Sequence, residues 1–225
     1  MDVIEKILYE VGTVLCHQLP SRTLTVGGKS LPVCARDTGI YIGMFIALMF
    51  LVLKGRWSCD KPPKTGITLI LCLFIFIMGL DGITSYLNMR STNNATRLIT
   101  GGLFGISVTF LLIPIANYKI YLPNKKASLE SLQELVMLTV TLILSCLGIY
   151  YRWIDNWWLI SIISIITILF IHHRICYTLV IQVLNKKGIY PVIVSLILQL
   201  ILSLCMYLFS KHVIHSIMRL DGTWR

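Results

Sequence analysis

Stretches without Asp, Glu, Lys or Arg recur six times along the chain, separated by short polar segments. A bilayer core of about 30 Å takes roughly 17–25 mostly apolar helical residues to cross. The expected spans are 38–54, 65–89, 97–118, 133–151, 156–184 and 188–211, the second interrupted by Asp81 and the fifth by Arg174. Helices are the expected form, because backbone exposed to lipid must satisfy its own hydrogen bonds. The apolar runs are also too long and uniform for the alternating pattern of a membrane barrel. Local signals agree. Pro62 and Pro63 punctuate one loop, and Pro123 with Asn124 another. Ser131 and Glu134 have the spacing of a capping box, and Pro191 falls in the first turn of the sixth span, where a missing N–H costs little. Tyr150, Trp153, Trp157 and Trp158 gather about the fourth loop as an interfacial aromatic belt does.

Ahead of the first span, Ile4, Ile7, Leu8, Val11, Val14 and Leu15 recur at helical spacing, with Asp2, Glu5, Lys6, Glu10 and Thr13 on the opposite face. That pattern predicts an amphipathic helix over 2–17, lying against the bundle or in the interface. Its acidic start does not read as a cleavable signal. The expected architecture is all-α. A polytopic membrane bundle of about six transmembrane helices, with this N-terminal amphipathic helix, makes one integral membrane domain over 1–225.

Composition sharpens that expectation. The chain has 225 residues, 56% hydrophobic and only 13% charged, with a mean hydropathy of +0.79. Soluble domains carry about a quarter charged residues, so a soluble enzyme and a disordered protein are disfavoured. The net charge of +10 does not imply nucleic acid, because the basic residues punctuate the spans as topology signals do. Lys54, Arg56, Lys61, Lys64, Lys119, Lys125, Lys126, Lys186 and Lys187 lie in the odd loops, against Arg90, Arg97 and Arg152 in the even ones. This bias predicts a multi-pass protein of the cell membrane with extracytoplasmic termini, although basic residues in the tails nearly cancel it.

Six spans place the N-terminal segment, the second and fourth loops and the C-terminus on one side. The unusual residues fall there too: Cys16 and His17 after the amphipathic helix, then Cys34, Arg36 and Asp37 before the first span. Asp81 follows, about 24 Å of helix rise beyond Thr65, and Arg90, Asn94 and Arg97 come around the second loop. Intramembrane carboxylates are expensive and read as functional by default, yet Asp81 could pair with Arg36 or Arg97 to hold helices together. Asp37 and Asn94 could be helix caps. Cys16 and Cys34 have three readings: a disulfide closing 17 intervening residues, soft ligands that with His17 suit zinc, or thiols with no special role. The other cysteines read as small hydrophobes. Two small-residue patterns, Gly39-x-x-x-Gly43 and Gly101-x-x-x-Gly105, predict close packing of the first and third spans; Gly12 reads as ordinary.

Cys16-His17-Gln18, Arg22, then Cys34-Ala35-Arg36-Asp37-Thr38-Gly39 with Tyr41 and Gly43, followed by Asp81-Gly82, Arg90, Asn93, Asn94 and Arg97, resembles a prokaryotic family of predicted membrane proteins classed as a domain of unknown function. The resemblance covers about the first 110 residues and implies a small multi-span membrane protein without an established activity. That family has a cysteine or small residue where this chain has Asp37, which adds a carboxylate here. The leading expectation is a metal-dependent hydrolase or transferase acting on a membrane lipid or lipid phosphate. Cys16, His17 and Cys34 would hold zinc, and Asp81 or Asp37 would take a proton. Arg36, Arg90, Asn94 and Arg97 would bind the anionic substrate. The alternatives are a carrier or lipid-binding protein, and an assembly partner with no chemistry.

Overall fold

The structure, a computed structural model, describes residues 2–14, 16, 18–87, 89–118, 126–184, 188–210 and 212. In chain order the helices are α1 (Val3–Thr13), α2 (Ala35–Leu53), α3 (Thr65–Tyr86), α4 (Asn94–Asn117), α5 (Leu132–Tyr150), α6 (Trp157–Leu184) and α7 (Ile189–Phe209). A minimal antiparallel pair, β1 (Thr25–Val26) with β2 (Lys29–Ser30), precedes α2. Among the described residues, α2 to α7 are long and apolar enough to cross a membrane. The chain forms two compact units, one of 35–155 and one of 1–34 with 156–225.

In the unit of 35–155, α2 and α4 pack backbone to backbone. A β-carbon added at Gly39 would stand 2.0 Å from the Leu98 carbonyl oxygen, and one at Gly105 would stand 2.1 Å from that of Ile40. Gly43 and Gly101 meet Gly102 and Arg36 carbonyl oxygens in the same way. Small residues let helices approach this closely without side chains between them. Phe110 and Phe50 close the far end edge to face, centroids 5.9 Å apart. Pro114 sits inside α4 and cannot donate to the Phe110 carbonyl one turn back. Ser128 Oγ donates to that carbonyl instead at 3.0 Å, so the buried acceptor is satisfied from another segment. Asn117 Nδ2 likewise donates to the carbonyls of Trp57 and Cys59, each at 2.8 Å. Ser131 caps α5, accepting from the Glu134 N–H at 3.2 Å. The Glu134 carboxylate does not complete the box on Ser131. It accepts from the Glu130 N–H at 3.0 Å and from Arg56 Nη1 at 2.8 Å, because a guanidinium is the stronger partner.

In the unit of 1–34 with 156–225, α6 and α7 pair along apolar faces, and Gln199 Nε2 donates to the Leu169 carbonyl at 2.9 Å. The amphipathic α1 lies on α6. Tyr9 packs on Trp157 with centroids 6.1 Å apart, and both donate to the Ser30 carbonyl, Trp157 at 2.7 Å. Trp157 is therefore a buried anchor, whereas Trp153 stays exposed as a belt residue does. α1 ends at Thr13, short of the expected Cys16–His17 end, and Gln18 takes a positive φ of 50°. Gly12 is a point of close approach, since a β-carbon there would lie 2.1 Å from the Pro32 carbonyl oxygen.

Glu5 on α1 is buried and paired with Lys29 of β2. The hydrogen bond from Lys29 holds the Glu5 carboxyl below its ordinary value of 4.5, and Glu5 holds the Lys29 amine above its ordinary 10.5. A depressed carboxylate contributes stability above its ordinary value and loses it as pH falls through the folded one. A raised amine contributes fully below its ordinary value and loses it as pH rises through the folded one. The clasp is thus complete between those limits. Amide exchange in α1 is expected to be slowest from about pH 5 to about pH 10 after correction for intrinsic rates, faster on the acid side, and flat with pH in Glu5→Gln.

Candidate functional site

Among the described residues two polar groups emerge, one inside the unit of 35–155 and one about the Cys16–Cys34 pair. In the unit of 35–155, α2 and α4 begin and α3 ends at the same level, because successive antiparallel helices alternate direction. Arg36 is the second residue of α2, Arg97 the fourth of α4, and Asp81 lies five residues before the end of α3. α3 is mostly exposed, and its buried residues are Ile67 and Leu71 near one end with Asp81 and Ser85 near the other. Asp81 and Ser85 are four apart, so they share a helix face.

Asp81 accepts from two arginines at once. Arg36 Nη2 donates to Oδ2 at 2.6 Å and Arg90 Nη2 to Oδ1 at 2.7 Å. The side chains are 12%, 2% and 55% exposed for Arg36, Asp81 and Arg90, so the carboxylate is enclosed and Arg90 is its open side. Thr100 Oγ1 stands 3.4 Å from Oδ2, though its shorter bond, 2.9 Å, goes to the Thr96 carbonyl. Beside this trio, Arg97 donates to Asn94 Oδ1 at 3.0 Å and to Ser85 Oγ at 3.3 Å, and Thr92 donates to the same Ser85 oxygen at 3.0 Å. The residue that caps α4 is Asn93, whose Oδ1 accepts from Thr96 N at 2.7 Å; Asn94 instead takes the first helical position and receives Arg97. Arg90, Ser91, Thr92, Asn93 and Thr96 line a polar cleft of about 430 Å³.

In the other unit the Cys16 and Cys34 sulfurs come within 4.8 Å of one another. Cys16 Sγ accepts the Cys34 N–H at 3.0 Å and the Gln18 N–H at 3.4 Å. Gln18 holds this corner, its Nε2 donating to the Tyr9 and Pro32 carbonyls at 2.8 Å each, while Thr13 Oγ1 donates to its Oε1 at 3.2 Å. Asp37 follows Cys34 by three residues, in the first turn of α2. Two adjacent thiols with a carboxylate one turn further along the chain make a Cys, Cys and Asp group that could hold a metal ion. His17 lies outside the described residues, as does His215.

Of the expected site residues, Arg36, Asp81 and Arg90 form one ion-paired trio, Asn94 and Arg97 bond to each other, and Cys16 and Cys34 meet. Sequence reasoning missed Ser85 and Thr100, and gave Gln18 a place in the signature without a role. Ser85 and Thr100 were open to detection by helical spacing from Asp81 and Arg97. Gln18 carries no such signal, because its partners are carbonyls far along the chain.

Comparison with known proteins places these residues in a family. Residues 16–111 match the family described as "Predicted membrane protein (DUF2085)", a stretch that contains both polar groups. The chain is 32% identical over 114 residues to an uncharacterised protein of Methanocaldococcus jannaschii, covering 51% of this chain and 71% of that one. It is 36% identical over 99 residues to an uncharacterised protein of Methanothermobacter thermautotrophicus, covering 43% of this chain and 83% of the relative. No solved structure matches it significantly. With six candidate spans and this similarity to two archaeal proteins, the chain belongs to the DUF2085 family of predicted membrane proteins and is a multi-pass membrane protein.

Proposed function

We propose that this membrane protein binds zinc on the Cys16 and Cys34 thiolates with Asp37 as the carboxylate ligand. The observation that carries the reading is the setting of Cys16: its sulfur accepts two backbone N–H groups and lies within 4.8 Å of the Cys34 sulfur. Backbone donors stabilise a thiolate over a thiol, and it is the thiolate that ligates metal. Tetrahedral zinc with Zn–S bonds of about 2.3 Å separates two sulfurs by roughly 3.8 Å, so a small side-chain adjustment suffices. Soft sulfur with one carboxylate suits zinc better than magnesium or calcium. His17, next to Cys16 along the chain, is the candidate for a further ligand.

Cys16, Cys34 and Asp37 alone leave a coordination position open, the arrangement of catalytic zinc, whereas His17 in that position would make a closed, structural site. Bound there, zinc supplies a water of lowered pKa for hydrolysis or transfer on a lipid or lipid phosphate. For the proton acceptor, Asp37 is not favoured if it ligates the metal. Asp81 is not favoured either, since both its oxygens already accept from guanidiniums. Its pairing supports a role in positioning Arg36 and Arg90.

The test is metal analysis of protein purified in detergent, with thiol titration before and after reductant. One zinc per chain is expected. It should disappear in Cys34→Ser, weaken by at least about tenfold in Asp37→Asn, since even partners outside the ligand shell cost roughly 10–100-fold, and persist in Cys72→Ser on α3. Metal-free protein that gains two thiols on reduction would establish a disulfide and refute the zinc reading.

A further inference from the structure

The polar cleft in the unit of 35–155 carries more guanidiniums than carboxylates. Three guanidiniums, Arg36, Arg90 and Arg97, stand with one buried carboxylate, Asp81. Asp37, next to Arg36 in the first turn of α2, and, beyond the end of α5, Asp155 with Arg152 stand at the same level, so the sum stays positive. Arg90 is the arginine that reaches the opening. It gives one nitrogen to Asp81, keeps a half-exposed side chain, and lines the cleft of about 430 Å³ with Ser91, Thr92, Asn93 and Thr96.

The lining is hydroxyl, amide and guanidinium; the Thr92 and Thr96 hydroxyls already donate to Ser85 Oγ and Asn93 Oδ1, so Ser91 Oγ, Asn93 Nδ2 and the Arg90 guanidinium are the groups able to donate to an oxyanion. The cleft also adjoins the first turn of α4, a 24-residue helix, whose N-terminal partial positive charge favours an anion. A planar guanidinium held at one nitrogen still offers its remaining donors in the fork that matches phosphate oxygens. Leu87 and Met89, 64% and 73% exposed, come just before Arg90 in the chain. Apolar surface of that kind next to an arginine is the setting of a group at headgroup depth.

We propose that this cleft binds a phosphate-ester anion through Arg90, with Asp81 and Arg36 holding the arginine in place. The site is independent of zinc, and the experiment runs in chelator so that loss of metal cannot be mistaken for loss of anion. Full-length protein in neutral detergent is titrated with short-chain phosphatidic acid, with phosphatidylcholine of the same chain length and with inorganic phosphate, binding being read by native mass spectrometry. Phosphatidic acid is expected to bind at least about tenfold more tightly than phosphatidylcholine, a difference of about 1.4 kcal/mol. Arg90→Gln should remove that preference, and Arg152→Gln in the fourth loop should leave it. Ser91→Glu, which adds a carboxylate to the lining on an exposed loop residue, should remove it without touching the ion pairs and so covers a folding failure of Arg90→Gln. Arg90-dependent binding of inorganic phosphate identifies a soluble phosphate site; binding of the lipid alone identifies a headgroup site. Equal affinity for the two lipids without Arg90-dependent binding of inorganic phosphate, preference unchanged in both Arg90→Gln and Ser91→Glu, or an equal loss in Arg152→Gln overturns the proposal.

Discussion

Gly105→Ala is expected to be among the most destabilising single-methyl additions in this protein, at about 3 kcal/mol, the upper part of the usual range for an overpacked core. The new carbon would stand 2.1 Å from the Ile40 carbonyl oxygen and 2.9 Å from the Met44 nitrogen. Both are backbone atoms of α2, so no side-chain rotation relieves the clash and the helices must move apart. The reciprocal contacts at Gly39, Gly43 and Gly101 then loosen together, since all four belong to one interface. In a bilayer this loss is not offset by hydrophobic association, because lipid chains are as apolar as the helix faces they would cover. Gly79→Ala on α3 is the control. Nothing lies within 4 Å of its added carbon, and removing a helical glycine should stabilise by about 1 kcal/mol. Unfolding in mixed micelles by detergent titration reads both. A Gly105→Ala protein that unfolds with the wild type would mean that α2 and α4 do not meet at this distance.

Asp81→Asn is expected to cost about 3 kcal/mol, the lower part of the range for breaking a buried ion pair. The substitution keeps the shape of the side chain and removes its charge, leaving Arg36, only 12% exposed, with a neutral partner. Arg90 is 55% exposed and can turn to water, so Arg90→Gln should cost much less, with Asp81 still paired to Arg36. If the ion pair acts by satisfying its own buried charges, Arg36→Met with Asp81→Leu should recover much of the loss of either single change, because neither charge is left behind. Additive losses in the double variant would instead show that the two residues act separately. The anchoring of α3 makes this measurement informative. α3 buries only Ile67, Leu71, Asp81 and Ser85, so its Asp81 end is held to its neighbours by polar contacts more than by apolar ones.

Much of this architecture was legible in the chain, and the reasons differ by feature. The helices were readable because hydrocarbon allows so few spanning forms that an apolar run of the right length nearly dictates one. The glycine spacing predicted the α2–α4 contact, because only small residues permit it. Helix starts lie earlier than the apolar runs suggest, because charged residues occupy the first turns. Boundaries drawn at charged residues placed the first span at 38, whereas α2 begins at Ala35 and takes Arg36 and Asp37 into its first turn. The third span moved from 97 to Asn94 for the same reason. Charge marks where the membrane core ends, and a helix continues past that point at little cost. The cap of α4 was misplaced by one residue because Asn93 and Asn94 are chemically identical neighbours.

The candidate residues were legible as types, while their partners were not. Cys16, Cys34, Arg36, Asp81, Arg90 and Arg97 stand out because each is costly or unusual near a bilayer. Asp81 read as functional first and as an ion-pair partner second, and the structure has both its oxygens accepting from guanidiniums. Gly12 read as ordinary and Gln18 as part of a signature with no role, because the importance of both rests on the Pro32 carbonyl. By itself the sequence determined the number, length and apolar character of the helices, since these follow from local composition against a solvent of known thickness. Only the tertiary structure decided which donor meets which acceptor, because such pairs join residues as distant as Arg36 and Asp81 and depend on the rotation of each helix about its axis, to which the overall hydropathy of a segment is blind.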